Sequence, residues 1–320
     1  WNSQNLIVLH SGMIGRSWTM LFIGSGYKVC IYDNVSKQLE DGIKDIRSQL
    51  EKLKSTGHLR SKLSVEEQTA LIDTTTDLET CIKGAFYVQE CVFEDVELKR
   101  KVHSQIEMLM DDQTILASST SCILPARISE NLTHRNRFIV VHPTNPPYYV
   151  PLVELLPSPW ADDDVLTTTR QLMKALGQVP ITIKKQKDGF VLNRLQNAIF
   201  KECFDLFRKG IMTATDIDLV MTEGLGRRYA FMGVLETAYL NADGFDVYAD
   251  RYAEVINEVQ KTFDPPHPFN DIPVLEKVQE EMVQKTPLDK LSDRYKWRDA
   301  RLSALSKLIT DMDKVKPSQK

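Results

Sequence analysis

The sequence predicts an α/β protein: a mainly parallel sheet covered by helices, followed by an all-helical C-terminal domain. Three observations carry this. Short apolar runs alternate with amphipathic stretches over the first half, the pattern of a parallel sheet with crossover helices. A turn with two glycines, His10-Ser11-Gly12-Met13-Ile14-Gly15, joins the first apolar run to a helical stretch. After Gly189 the strand signals stop, and apolar residues recur at three- and four-residue spacing.

In chain order, strands are expected at 6–9, 28–32, 86–88, 114–117, 138–141, 152–156 and 181–183. Helices are expected between them at 14–25, 35–54, 96–110 and 163–176. The second half should hold helices at 190–209, 216–223, 235–263 with a break near Gly244, and 290–315, with the proline-rich 264–268 as a loop. A boundary near residue 188 divides a sheet domain, 1–188, from a helical domain, 189–320.

Bulk properties narrow the function classes. A composition 42% hydrophobic and 26% charged is that of a globular chain, which excludes a disordered or fibrous one. A net charge of -4 leaves no basic footprint for nucleic acid. No apolar run approaches the roughly 20 residues that span a bilayer, and no secretory leader is recognisable, so neither a membrane nor an export route is expected. The chain opens at Trp1 close to a strand, which suggests that natural residues precede it. Cys30, Cys81, Cys91, Cys122 and Cys203 are odd in number and form no C-x-x-C pair. A reduced, cytoplasmic setting is therefore expected, without a disulfide framework or zinc site.

The glycine turn matches G-x-G-x-x-G except at its first position, where His10 stands. Gly12 would let backbone approach a pyrophosphate, Gly15 would let helix pack on strand, and the helix N-terminus would receive the negative charge. Asp33 closes the second strand about 20 residues later, where an acid binds the ribose hydroxyls of NAD and repels the extra phosphate of NADP. The domain reads as Rossmann-like and the cofactor as NAD. A side chain in place of the first glycine would cost on the order of 1 kcal/mol if it forces an unfavourable backbone, so weakened NAD binding is expected.

His142 ends the run 138–141 and precedes Pro143-Thr144-Asn145-Pro146-Pro147-Tyr148-Tyr149, a segment fit for neither helix nor central strand. That puts an imidazole at the carboxyl end of a strand, where open α/β sheets bind ligands. Glu154 lies twelve positions on, inside Leu152-Val153-Glu154-Leu155-Leu156. A carboxylate there either faces solvent on an edge strand or is buried and needs a partner such as His142. Oxidising an alcohol requires a group to take the hydroxyl proton, and histidine titrates near working pH. The remaining histidines show no ligand spacing, so no metal is expected. A Cys122–His nucleophile lacks a third orienting group.

Ile14-Gly15-Arg16-Ser17-Trp18, Ser118-Ser119-Thr120-Ser121, the stretch from His142 to Glu154, Gly189-Phe190-Val191-Leu192-Asn193-Arg194 and Gly224-Leu225-Gly226-Arg227-Arg228-Tyr229-Ala230-Phe231 occur in this order. With them the chain resembles the 3-hydroxyacyl-CoA dehydrogenase family over both domains. The resemblance implies His142 as catalytic base, Glu154 as its orienting carboxylate, and Ser121 and Asn193 as hydrogen-bond donors to the reacting oxygen. It also implies cofactor contacts from Glu94, Lys99 and the backbone of Met13 and Ile14, beside Gly12, Gly15 and Asp33. By residue type alone, Ser121 also fits a turn or cap, and Glu94 and Lys99 fit a helix-start acid and a surface lysine. Arg228 is the candidate for a substrate carboxylate, or else a solvated arginine. The family's usual proline after Gly233 is replaced by Val234.

The implied activity is NAD-dependent oxidation of a 3-hydroxy acid, L-gulonate or a similar polyhydroxy acid, by a homodimer. The alternatives are a 3-hydroxyacyl-CoA substrate, or a non-catalytic structural protein that keeps the fold after its cofactor loop has decayed.

Overall fold

The computed structural model describes residues 4–315. Eight strands form one sheet: β1 (Asn5–Leu9), β2 (Lys28–Tyr32), β3 (Ile72–Thr75), β4 (Ala85–Glu90), β5 (Ile115–Ser118), β6 (Phe138–Pro143), β7 (Leu152–Pro157) and β8 (Val179–Thr182). Their order is β3-β2-β1-β4-β5-β6-β7-β8. All neighbours are parallel except β6 and β7, which run antiparallel with His142 opposite Glu154. The chain crosses over between β1 and β4, and such a reversal of strand order opens a crevice above the carboxyl ends of the strands.

The helices are α1 (Met13–Gly24), α2 (Ser36–Ser55), α3 (Val65–Thr69), α4 (Leu78–Ile82), α5 (Val96–Glu107), α6 (Pro125–Ser129), α7 (Asp163–Ala175), α8 (Leu192–Arg208), α9 (Ala214–Leu219), α10 (Gly226–Tyr229), α11 (Val234–Asn241), α12 (Phe245–Lys261), α13 (Ile272–Lys285) and α14 (Leu291–Val315). Two compact units result. One carries the chain to Arg194 together with Leu302–Lys307, and the other carries Leu195–Arg301 and the chain from Leu308 onward.

Successive strand residues point to opposite faces, and in the first unit both faces are buried. Leu6, Val8, Val29, Ile31, Ile139 and Val141 pack with Trp18 and Phe22 of α1. Ile7, Leu9, Val88, Leu116, Phe138 and Val140 form a second core on the other side, with Ile82 and Ile106. A sheet covered on both sides reads as continuous apolar runs, which is why these strands were visible in the sequence.

The departures from expectation have local causes. β3, Ile-Asp-Thr-Thr, is an edge strand with two exposed polar residues and no apolar run. The short α3 depends on a capping box between Ser64 and Glu67 rather than on periodicity. α4 and α6 have only five residues each, and α13 begins against a proline. The predicted strand end at Val141 moves to Pro143, which pairs with Val153. The helix expected at 216–223 is instead α9, a π-helical turn over Val220–Leu225, and α10. Gly244, at φ 136°, separates α11 from α12 at the expected break.

Candidate functional site

The glycine turn places the N-terminus of α1 at the carboxyl end of β1. Gly12 caps the helix without a side-chain hydrogen bond, and the first turn holds no acid. The leading amides therefore keep their partial positive charge for an anion. At Gly15 a Cβ would lie 2.0 Å from the carbonyl oxygen of His10, so only glycine fits there. Asp33 follows β2 and is 3% exposed; its Oδ2 accepts from the Ser11 amide (3.0 Å) and hydroxyl (2.8 Å), and its Oδ1 accepts from the Val35 amide (3.1 Å). Burial opposes its charge, but these hydrogen bonds prevail and hold its carboxyl below the usual range. These features fit a dinucleotide: an open helix N-terminus, a glycine where the backbones touch, and an acid at the end of β2.

His10 is the departure that the sequence flagged, and its φ is +78°. Its ring folds back on the loop, with Nδ1 accepting from the Gly12 amide at 3.3 Å and its edge against Phe93 at 5.4 Å between centroids. A Cβ at Gly12 would meet that Nδ1 at 3.0 Å. The imidazole thus fills the space that a glycine at position 12 leaves beside the loop.

On the far side of the switch point, His142 and Glu154 are brought together by the β6–β7 pair. Glu154 is 1% exposed and His142 6%. His142 Nδ1 and Glu154 Oε2 are 2.7 Å apart, while Glu154 Oε1 accepts from the amides of Val191 and Leu192, each at 2.9 Å. Burial raises the Glu154 pKa, but the hydrogen bonds from His142, Leu192 and Val191 outweigh it, so the carboxyl titrates below the usual range. The alternative of a solvated acid on an edge strand is overturned, because β7 lies between β6 and β8. Phe190, at φ +52°, packs edge-on against the imidazole at 5.6 Å.

Asn193, half-buried in the first turn of α8, donates from Nδ2 to the Ser121 carbonyl at 2.7 Å. Ser121 lies beyond the end of β5, in a loop gathered around Glu94. Glu94 Oε1 accepts from Thr120 Oγ1 (2.6 Å), the Ser121 amide (2.8 Å) and hydroxyl (3.2 Å), and the Cys122 amide (3.1 Å). Its carboxyl is desolvated, yet Thr120, Lys99 and the Ser121 amide bring its pKa down. Cys122 is exposed beside Glu94, and its thiol pKa is raised by partial burial and that carboxylate, the reverse of an activated nucleophile.

Lys99 is not a surface lysine. It is 1% exposed, with Nζ 2.9 Å from Glu90 Oε1, 3.1 Å from the Val92 carbonyl and 3.5 Å from Glu94 Oε2. In this arrangement its ammonium turns inward to two acids, which gives a cofactor contact from it no support. Glu90 went unrecognised in the sequence. It is fully buried, accepts from Ser118 Oγ at 2.6 Å and the Val92 amide at 2.6 Å, and lies 3.4 Å from His103 Nε2. The signal that singled out Glu154, an acid inside an apolar strand, was available at Glu90 too. Hydrogen bonds thus run from His142 through Glu154 to the start of α8 and through Asn193 to the Ser121 loop and Glu94, and an ion pair from Glu94 to Lys99 extends the chain to Glu90.

Arg228 lies exposed on α10 in the second unit and makes no ion pair among the described residues. In that unit Asp205, Asp264 and His267 bring potential ligand atoms within 4.8 Å of one another, a grouping that spacing did not reveal. Lys201 and Arg208 pair with Asp205, and Lys209 with Asp264, so the acids are already neutralised. No helix among the described residues is long and apolar enough to cross a membrane.

Comparison with known proteins agrees with this geometry. The NAD-binding domain of 3-hydroxyacyl-CoA dehydrogenase matches residues 5–186, and the C-terminal domain of the same family matches 189–290. Human lambda-crystallin homolog is 46% identical over 305 residues, covering 95% of each chain. L-carnitine dehydrogenase of Oceanobacillus iheyensis is 32% identical over 74% of this chain and 76% of its own. A solved structure of 5-formyl-3-hydroxy-2-methylpyridine 4-carboxylic acid 5-dehydrogenase, described as an NAD+-dependent dismutase, superposes with a TM-score of 0.83 over 96% of this chain and 99% of its own, at 24% identity. The chain belongs to the 3-hydroxyacyl-CoA dehydrogenase family, as an NAD-dependent dehydrogenase similar to the lambda-crystallins.

Proposed function

We propose that this protein oxidises the 3-hydroxyl of L-gulonate or a similar free hydroxy acid, with His142 as general base. The observation that carries the proposal is the 2.7 Å contact of His142 Nδ1 with a buried Glu154 carboxylate. An ionised Glu154 requires the proton on Nδ1, which leaves Nε2 of the neutral ring as the acceptor. Among the described residues no protein donor occupies Nε2. It takes the substrate's hydroxyl proton, and Glu154 stabilises the imidazolium that results while the two amides at the start of α8 hold Glu154 in turn.

When bound, NAD supplies the acceptor for the hydride leaving the same carbon. Gly12, Gly15, Asp33 and the amides of Met13 and Ile14 would hold it. Ser121 and Asn193 polarise the reacting oxygen once substrate draws their donors away from Glu94 and the Ser121 carbonyl. Glu94 and Lys99 act one step back, by shaping the Ser121 loop. Residues 1–188 form the cofactor domain and 189–320 the substrate and dimerisation domain, with Arg228 as the carboxylate partner. A free acid is favoured over an acyl-CoA by the relatives named for L-carnitine, itself a 3-hydroxy acid. Exposed Leu235, Phe231, Leu240 and Val255 suit burial between two copies in a cytoplasmic homodimer.

A non-catalytic structural role has one observation in its favour, the His10 ring over Gly12. An assay of NADH formation across L-gulonate, L-carnitine and a 3-hydroxyacyl-CoA decides. Turnover of L-gulonate or a related acid is expected; turnover of the acyl-CoA alone, or none despite measurable NAD binding, overturns the proposal.

A further inference from the structure

We propose that Cys30 and Cys81 form a reversible oxidation site, two thiols that close to a disulfide when a small disulfide oxidant reaches Cys30. Cys30 lies in the middle of β2 and Cys81 in α4. The Cys81 thiol donates to Cys30 Sγ at 3.0 Å. A disulfide bond is about 2.05 Å long, so closure brings the two sulfurs about 1 Å nearer. Among the described residues no other pair of sulfurs is within hydrogen-bond reach: Cys91 faces Ser119 Oγ at 3.3 Å and Cys122 faces Glu94.

The two thiols are unequal. Cys81 is 2% exposed, whereas Cys30 is half-buried on the face of the sheet that α4 covers. The hydrogen bond from Cys81 lowers the Cys30 pKa, against burial and the carboxylate of Asp73, its neighbour on β3. Cys81 is pushed far up by that same hydrogen bond, by burial and by Asp77. Cys30, the thiol that an oxidant can reach, is the attacking thiolate, and buried Cys81, which donates its proton in the hydrogen bond, is the resolving thiol.

The electrons balance with an external disulfide such as oxidised glutathione. The Cys30 thiolate attacks one of its sulfurs, the S–S bond breaks, and one glutathione thiolate leaves. Cys81 gives up its proton, to that thiolate or to water, as its sulfur attacks Cys30. The second glutathione leaves and the Cys30–Cys81 bond forms. The protein loses two electrons and the external disulfide gains them.

The test uses the full chain, natively folded. It is treated with oxidised glutathione, blocked with N-ethylmaleimide, digested without reductant and analysed by mass spectrometry. The expected product is a peptide joining Cys30 to Cys81 that dithiothreitol dissolves, whereas Cys81→Ser retains glutathione on Cys30. Exposed Cys122 serves as the internal control for oxidant activity. If both thiols stay free once Cys122 is modified, or if wild-type Cys30 retains glutathione beside a free Cys81, the proposal fails.

Discussion

His142 and Glu154 depend on each other because neither is comfortable alone in a buried strand pair. If His142 is the base, His142→Asn removes the proton acceptor while preserving hydrogen-bonding shape, and a fall in kcat of about 10² to 10⁴ is expected. Glu154→Gln should also lower kcat, because an amide that donates to Nδ1 puts the proton on Nε2 and removes the acceptor. Initial rates at saturating NAD measure both effects, and unchanged rates would exclude the pair from the chemistry. His10 is a separate matter. His10→Gly relieves a positive φ in a residue with a side chain and clears the ring from Gly12, so tighter NAD binding is expected. Fluorescence titration reads that affinity, and equal affinities in the two proteins would show that the ring moves aside without cost. The position of His142 after an apolar run and of Glu154 within one made this pair legible in the sequence. The ring of His10, folded back to accept from the Gly12 amide, was not, because a sequence shows that a glycine is missing without showing where its replacement folds.

At the scale of elements, β4 and α5 are joined by a buried ion pair. Lys99 reaches from α5 to Glu90 at the end of β4, and a lone charge in that position has no water to turn to. Lys99→Met leaves Glu90 uncompensated and should destabilise the fold by about 3–5 kcal/mol, measured by urea denaturation. The same carboxylate links stability to pH. Burial opposes its charge, but His103, Lys99 and Ser118 hold its pKa down at about 2, against an ordinary 4.5. Its contribution is complete above the ordinary value and disappears as pH falls toward about 2, to an extent of roughly 3 kcal/mol at about 1.4 kcal/mol per tenfold change in proton affinity. Unfolding followed between pH 4.5 and 2 should show a shallower loss for Glu90→Gln than for the parent chain. Long apolar strands announced themselves through burial on two sides. Glu90 and Lys99 did not, since helix spacing says which face a lysine occupies but not whether an acid on the next strand waits beneath it.

At the scale of the whole molecule the chain forms a sheet unit and a helical unit. Among the described residues Arg228, in the helical unit, makes no ion pair, which leaves its guanidinium open to an external carboxylate. Arg228→Ala should therefore raise KM for a hydroxy acid about tenfold or more while leaving NAD affinity intact; steady-state kinetics with both substrates varied would expose an unchanged KM. Charge and composition pointed to a globular chain without a nucleic-acid surface, but composition carries no record of how elements pair. The turn from β6 to β7 illustrates the difference. Side chains alternate sides along a strand, so displacing β7 by one residue against β6 would turn Glu154 through the sheet to the opposite core. An insertion or deletion in the connection between them that shifts this alignment would leave a folded sheet with an imidazole stripped of its counter-charge. The length of that connection is thus a timing mark for the chemistry, legible in a single pair of facing residues.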